Sequence, residues 1–108
     1  MQRPDGFWNV NLGDPTDHPR PETSGTAFFT YGLAWGIRAG VLSAATYKPT
    51  AMKAWDGMVG VALQPNGRLG YVQGMRQQPS DHQPVGRNDT WNFGVGAFLL
   101  ASSEVAKI

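Results

Sequence analysis

The stretch PETSGTAFFTYGLAWGIRAGVL (residues 21–42) decides the fold, because it predicts a helix that is apolar on nearly every side. Large apolar residues recur at helical spacing on two faces, namely Phe28, Tyr31, Trp35 and Leu42 on one and Phe29, Leu33, Ile37 and Val41 on the other. Glycines mark a third face, which a neighbouring backbone could approach closely: Gly25, Gly32, Gly36 and Gly40. A surface helix has one apolar stripe and one polar face. The stretch therefore predicts an inner helix over residues 22–40, covered on several sides.

Two further helices are predicted downstream of this one. Residues 49–63 form an amphipathic pattern typical of an outer helix, with Pro49 suited to its first turn. Residues 91–106 contain FGVGAFLLA, which is again apolar all round and predicts a second inner helix. Between them, Asn66-Gly67 predicts a tight turn and a short strand or hairpin near residues 66–73. We predict one all-α segment of about three helices.

Long loops precede both inner helices. Residues 1–21 and 74–90 are polar and rich in proline, and loops of that length in a compact domain usually serve a function. Three helices cannot cover two inner helices on all sides, and each large apolar side chain left in water forgoes about 1.5–3 kcal/mol. We therefore expect cover from another part of a longer protein or from a second copy of this chain.

Composition narrows the classes of function. The 108 residues carry a net charge of +1 with 16% charged residues, which argues against a nucleic-acid partner. No apolar run reaches the roughly 18 residues that span a bilayer, so no membrane partner is expected. The absence of cysteine excludes disulfides and cysteine-type zinc sites. His18 and His82 stand one in each long loop without metal-ligand spacing, so we predict no metal and no cofactor. No signal peptide is visible, and the compartment stays open.

Five blocks in order resemble a known family: DGFW (5–8), PETSGTAFFTYGLAWGI (21–37) followed by GVL (40–42), YKPTAMKAWDGM (47–58), NGRLGYVQ (66–73) and GVGAFLLASSEV (94–105). Together they resemble the C-terminal part of glycoside hydrolase family 105, the unsaturated rhamnogalacturonyl hydrolases, which are related to the unsaturated glucuronyl hydrolases of family 88. The resemblance implies an (α/α)6 barrel of alternating inner and outer helices. This chain would be its last quarter to third, and the upstream segments would supply the missing cover.

The resemblance also implies a reaction and a substrate. In that family an aspartate protonates the C4=C5 double bond of a terminal unsaturated uronic acid, and water adds at C5. The hemiketal that results then opens and the glycosidic bond is lost, unlike the two-carboxylate displacement of other glycosidases. The family's aspartates lie upstream of the DGFW block, so the resemblance assigns no catalytic residue here and leaves Asp5 as a turn residue. The expected partner is an unsaturated uronic-acid oligosaccharide from pectin or rhamnogalacturonan, with galacturonyl or glucuronyl specificity left open.

Seven residues are candidate substrate contacts, because the resemblance puts both long loops on the active-site rim: Trp8, Glu22, Thr23, Ser24, Tyr71, Gln73 and Trp91. Trp8 either stacks on a sugar ring or packs its loop against the barrel. The residues that open the first inner helix either bind sugar groups or cap the helix. Tyr71 and Gln73 either reach the substrate or brace the rim. Among the other residues, we assign Tyr31, Trp35 and Trp55 to the core, Asp81 and Asp89 to the loop, and Glu104 with Lys107 to a solvated pair.

Three functions can be weighed at this point, of which the third, a stand-alone carbohydrate-binding module suggested by the loop aromatics, is disfavoured because such modules are more usually built from sheets. The first is a C-terminal fragment of an unsaturated glycuronyl hydrolase that lacks the catalytic aspartates. The alternative is a non-enzymatic helical module that associates with itself or with a partner through its apolar faces.

Overall fold

A computed structural model describes residues 1–75 and 83–108, and these contain three α-helices. They are α1 (Thr23–Arg38), α2 (Ala44–Gly57) and α3 (Asn92–Val105). A π-helical turn, Met58–Ala62, continues α2. The described residues form no strand, only two isolated antiparallel bridges. The all-α prediction is confirmed. None of the helices in this part of the chain is long and apolar enough to cross a membrane.

The inner helices lie close to their predicted positions. Glu22 caps the start of α1, and Gly40, with a φ of +77°, follows its end, where a left-handed residue commonly closes a helix. Trp91 and Ala106 flank α3 as its cap residues. The apolar periodicity thus located both helices to within one or two residues.

The predicted start of α2 at residue 49 was wrong. The helix begins at Ala44, and the amides of Thr46 and Tyr47 already bond to the carbonyl of Ser43 at 3.2 and 3.0 Å. Pro49 therefore lies inside the helix, where its missing N–H forfeits one backbone hydrogen bond.

The predicted strand or hairpin near residues 66–73 is reduced to a turn and one bridge. Gly67 has a φ of +85°, and the amide of Gln64 donates to the carbonyl of Arg68 at 2.8 Å. Leu63 and Leu69 form the bridge. Beyond it, the backbone of residues 71–73 bonds to the start of α1 and to the loop before α3 instead of continuing a ladder.

The core is built mainly from small side chains. α1 packs most extensively on α3 and next on α2. One buried cluster joins the helices to the loops: Phe7, Ala27, Met58, Ala62, Leu69, Val72, Ala97 and Ala101. Tyr31 and Trp55 pack half-buried against it, and Trp55 stacks on Phe98 with 5.0 Å between ring centroids.

Large apolar side chains of both inner helices face solvent in this chain. Phe28, Trp35 and Leu99 are 49%, 44% and 61% exposed, so the assignment of Trp35 to the core was wrong. A side chain added at Gly32 or Gly96 would meet nothing within 4 Å. The described residues therefore leave part of both inner helices uncovered; on the predicted glycine face Gly32 is open, whereas Leu42 packs closely on Gly36.

Candidate substrate-binding site

The start of α1 is organised by one buried carboxylate. Glu22 is 3% exposed and accepts four hydrogen bonds. Its donors are the amide and hydroxyl of Ser24 at 3.0 and 2.7 Å, the amide of Gly25 at 2.8 Å, and the amide of Gln73 at 3.1 Å. The first amides of a helix have no partner within it, so Glu22 satisfies two of them. The same carboxylate fixes the distant segment around Gln73 against the start of the helix.

The DGFW loop is anchored beside this carboxylate. Gly6, with a φ of +93°, lies so close to α2 that a Cβ there would come within 2.2 Å of the Lys53 carbonyl. Phe7 is fully buried in the core. The amide of Trp8 donates to Oγ1 of Thr26 at 3.0 Å, and its ring meets Phe29 edge-on at 5.2 Å. Phe7 thus anchors the loop in the core, while the half-buried Trp8 packs against the first turns of α1.

Asp5 is held as a turn residue. Burial by itself would raise the pKa of Asp5, but hydrogen bonds from the Arg3 guanidinium and the Phe7 amide outweigh it and lower that pKa below 3.8. Nη2 of Arg3 lies 2.8 Å from Oδ2 of Asp5. An ionised, paired carboxylate is a poor proton donor, which agrees with the resemblance in leaving Asp5 outside the catalytic residues.

Trp8, Glu22 and Gln73 come together in one small, open cleft. Its other walls are Asn9, Val10, Leu12, Gly25, Thr26 and Phe29. The cleft combines two aromatic rings with amide groups, a lining that suits a ligand with apolar faces and hydroxyl edges. The four donors on Glu22 use most of its acceptor capacity, so this carboxylate shapes the cleft more than it offers a reactive group.

A larger apolar groove adjoins this cleft. It shares Trp8, Leu12 and Phe29 with the cleft and adds Met1, Phe28, Gly32 and Leu33. Trp8 therefore stands at the border between the polar cleft and the uncovered apolar face of α1.

The other four candidates lie outside the lining of the cleft. Thr23 is fully buried and donates its hydroxyl to the Gly70 carbonyl at 2.7 Å. Ser24 donates its hydroxyl to Glu22. Tyr71, with a φ of +58°, packs half-buried against the core. Trp91, 45% exposed, occupies the cap position of α3.

Six lining residues were missed in the sequence: Asn9, Val10, Leu12, Gly25, Thr26 and Phe29. A signal existed for Phe29, which follows Glu22 by seven residues and so lies on the same face of the helix. That signal was hidden because the aromatics of this stretch were assigned to packing.

The remaining titratable candidates show no assembled centre. Asp89 accepts a hydrogen bond from the Gly86 amide at 2.6 Å in an exposed turn, and Nε2 of His18 lies 3.4 Å from Asp17. Asp81 and His82 lie outside the described residues. Within residues 1–75 and 83–108, no group of three histidine or acidic side chains is placed to hold a metal ion.

Similarity to known proteins identifies the family. All 108 residues match the family described as Glycosyl Hydrolase Family 88. The chain is 38% identical to the unsaturated 3S-rhamnoglycuronyl hydrolase of Formosa agariphila, an alignment that covers 100% of this chain and 28% of that protein. The solved structure of a family 88 glycosyl hydrolase from Bacteroides vulgatus superposes with a TM-score of 0.91 at 47% identity, over 98% of this chain and 30% of that one. A structure from Salmonella enterica, a possible member of family 105, gives 0.81 at 26% identity, over 98% and 28%.

The chain therefore belongs to glycosyl hydrolase family 88, and it spans less than a third of the length of these relatives. Its three helices are part of a helical barrel. The five blocks indicate a relation to the unsaturated glycuronyl hydrolases, and this relation is confirmed. The family that matches the chain is family 88, whereas the possible member of family 105 from Salmonella is a more distant relative.

Proposed function

We propose that this member of family 88 forms the C-terminal part of an unsaturated glycuronyl hydrolase and supplies substrate contacts on its active-site rim. The observation that carries the proposal is the gathering of Trp8, Glu22 and Gln73 in one cleft at the start of an inner helix. The substrate is an oligosaccharide that ends in an unsaturated uronic acid. Rhamnose is its favoured neighbour, because the curated relatives are named for rhamnoglycuronyl substrates.

Each residue of the cleft has a role in this proposal. The indole of Trp8 packs against the apolar face of a sugar ring, as aromatic rings do in mixed pockets. The side-chain amide of Gln73 exchanges hydrogen bonds with hydroxyls. Glu22 holds both the helix start and the Gln73 backbone in place through the bonds it accepts. Thr23, Ser24, Tyr71 and Trp91 support the rim around this cleft.

The chemical step belongs to the upstream part of the enzyme. There an aspartate delivers a proton to C4 of the C4=C5 double bond, and a water molecule adds its oxygen to C5 and gives up a proton. The hemiketal then opens to a ketone and releases the neighbouring sugar. This chain binds and orients the oligosaccharide and contributes no atom to the reaction.

Titration of the 108-residue chain with an unsaturated uronyl-rhamnose disaccharide tests the proposal, with the indole N–H resonances followed by NMR. We expect the Trp8 signal to move. Trp8→Ala should weaken binding by about three- to tenfold, in line with 0.5–1.5 kcal/mol for an aromatic contact. Gln73→Ala keeps the Trp8 ring and should also weaken binding. Trp35→Ala is the matched control, because Trp35 is exposed outside this cleft. Equal affinity of all three variants and the wild type would refute the proposal.

The alternative, a helical module that self-associates without enzymatic activity, is favoured by one observation. The apolar groove beside Trp8 and the exposed Phe28 and Leu99 form the kind of surface that marks an interface. A chain that dimerises tightly and ignores the disaccharide would favour this alternative.

A further inference from the structure

The turn that leads into Trp8 contains an ion pair that the proposed chemistry does not use. Nη2 of Arg3 donates to Oδ2 of Asp5 at 2.8 Å, and Nε donates to Oδ1 at 3.1 Å. Neither residue lines the cleft around Trp8 and Gln73. The pair is nevertheless connected to a residue that does, because Nη1 of Arg3 donates to Oδ1 of Asn9 at 2.8 Å.

The turn holds the Arg3 guanidinium in one place. The Arg3 amide donates to the Phe7 carbonyl at 2.8 Å, and the Arg3 carbonyl accepts the amide of Gly6 at 3.0 Å. Phe7 is fully buried, and its own amide donates to Oδ1 of Asp5 at 3.2 Å. Both members of the ion pair are thus anchored to a segment that the core holds. A planar guanidinium that pairs with a carboxylate along one edge keeps its remaining N–H groups in a fixed direction.

The hydrogen bond from Arg3 fixes the orientation of the Asn9 carboxamide. A guanidinium has only donors, whereas a carboxamide has an oxygen that accepts and a nitrogen that donates. The atom of Asn9 that meets Nη1 is therefore Oδ1, and the NH₂ group is turned away from Arg3. Since Asn9 lines the cleft and Arg3 does not, the guanidinium holds this side chain from outside the cleft.

A carboxamide held in this way differs from the other polar groups of the cleft. The Glu22 carboxylate only accepts, and its four donors use most of its capacity. The Gln73 side chain carries a donor and an acceptor. In Asn9 the oxygen is bound to a cation, and hydrogen bonds in a chain polarise one another, so its N–H groups become stronger donors. Asn9 therefore suits an acceptor oxygen on a ligand.

We propose that Asn9 is a specificity-determining residue, whose NH₂ group donates to an oxygen of the sugar that packs on Trp8, and that Arg3, held by Asp5, is its positioning residue. The inference rests on the proposed function and deepens it, because it adds a donor of fixed direction beside the indole. Asn9 directly follows Trp8, so one segment supplies both the apolar surface and the donor.

Titration of the full 108-residue chain with the unsaturated uronyl-rhamnose disaccharide tests the role of Asn9, with the Trp8 indole and the Asn9 NH₂ signals followed by NMR. Asn9→Asp keeps the shape and the acceptor for Arg3 but removes the donor. We expect it to weaken binding by about two- to tenfold, the effect of one hydrogen bond. Asn66→Asp is the matched control, since it makes the same change of charge in an exposed turn outside the cleft and keeps the acceptor for the Arg68 amide.

A double-mutant cycle tests the positioning role of Arg3, because residues that act through one another do not have additive effects. Arg3→Gln should weaken disaccharide binding by the wild type but cause no further loss in Asn9→Ala, with the fold of each variant checked by circular dichroism. Additive losses would overturn the positioning role. Equal affinity of Asn9→Asp and the wild type, while the disaccharide still shifts Trp8, would overturn the inference and leave the proposed function standing. No shift of Trp8 in the wild type would refute the proposed function and the inference with it.

Discussion

At the scale of single residues, Glu22 connects more of the molecule than any other side chain of the cleft. It joins the first turn of α1 to a backbone amide 51 residues away. Sequence pointed to the start of this helix and to capping as one of two roles for residues 22–24. The sequence could not show that the Thr23 hydroxyl donates a hydrogen bond to the Gly70 carbonyl, because Gly70 is 47 residues away along the chain.

Glu22→Gln is expected to lower the free energy of unfolding by about 1–3 kcal/mol. The carboxamide replaces one acceptor oxygen by an NH₂ group, which leaves buried amide donors without a partner. Urea denaturation followed by circular dichroism measures the change. Asp56→Asn is the matched control on an exposed face of α2 and should alter stability by less than about 0.5 kcal/mol. Similar small effects of both substitutions would contradict the role given to Glu22.

At the scale of helices, apolar periodicity predicted the extents of α1 and α3 but not what packs on them. The glycines of α1 were expected to admit a neighbouring backbone, and the glycines of α3 pose the same question. In this chain Gly94 meets Val72, whereas Gly96, two residues on, faces open space. Periodicity cannot separate the two cases, because it carries no information on which face a distant segment occupies.

Gly94→Ala and Gly96→Ala are therefore expected to change stability in opposite directions. A Cβ at Gly94 would lie 2.5 Å from a methyl group of the buried Val72, so the first substitution should destabilise the chain. A Cβ at Gly96 would meet no atom within 4 Å. Gly96→Ala should therefore stabilise α3 by about 0.5–1 kcal/mol, because alanine has the higher helix propensity. Denaturation midpoints of the pair measure both effects. Two changes of the same sign would show that this packing is wrong.

The C-terminal ends of α1 and α3 are joined by an ion pair that sequence did not indicate. Glu104 was predicted to form a solvated pair with Lys107; the pair is present, but Glu104 is buried, so its solvated environment was predicted wrongly. It is 6% exposed, and Oε1 accepts Nη2 of Arg38 at 3.1 Å, while Nζ of Lys107 stays 3.7 Å away. Arg38 lies 66 residues from Glu104, beyond the reach of any local pattern.

Acid should weaken this connection. The hydrogen bond from Arg38 holds the pKa of Glu104 below its ordinary 4.5. The folded-state pKa is lower than the unfolded one, so the stabilisation is complete above about pH 4.5 and is lost as pH falls through the folded value. We expect the denaturation midpoint of Glu104→Gln to fall less on acidification than that of the wild type. Identical pH profiles would contradict the prediction.

At the scale of the whole molecule, the chain exposes apolar surface that a complete barrel would cover. The chain belongs to family 88 and matches less than a third of the length of each relative, which agrees with the exposure of these apolar faces. The resemblance of five sequence blocks implied the barrel fragment, whereas the lack of a polar face on the inner helices predicted only that they need cover from outside these three helices. The sequence identified only some of the residues that line the cleft, because the lining comes from three separate segments of the chain.

The isolated chain is expected to associate in a concentration-dependent way. Sedimentation velocity over a range of concentrations measures this, with helical content followed by circular dichroism. Leu99→Lys should shift the distribution towards monomer, because Leu99 is 61% exposed on an inner helix. Val41→Lys is the control, at a residue 71% exposed beyond the end of α1. A folded monomer at every concentration would contradict the need for cover.

Restoration of a complete barrel tests the central claim most directly. The upstream part of the Formosa agariphila hydrolase would be joined to this chain in place of its own matching segment. Loss of the ultraviolet absorbance of the unsaturated uronate would then be measured for the chimera, for each part alone and for the Formosa enzyme. We predict hydrolysis by the chimera, none by this chain alone, and a slower rate when Gln73→Ala is introduced. A folded chimera that leaves the double bond intact, while the Formosa enzyme consumes it, would contradict the account.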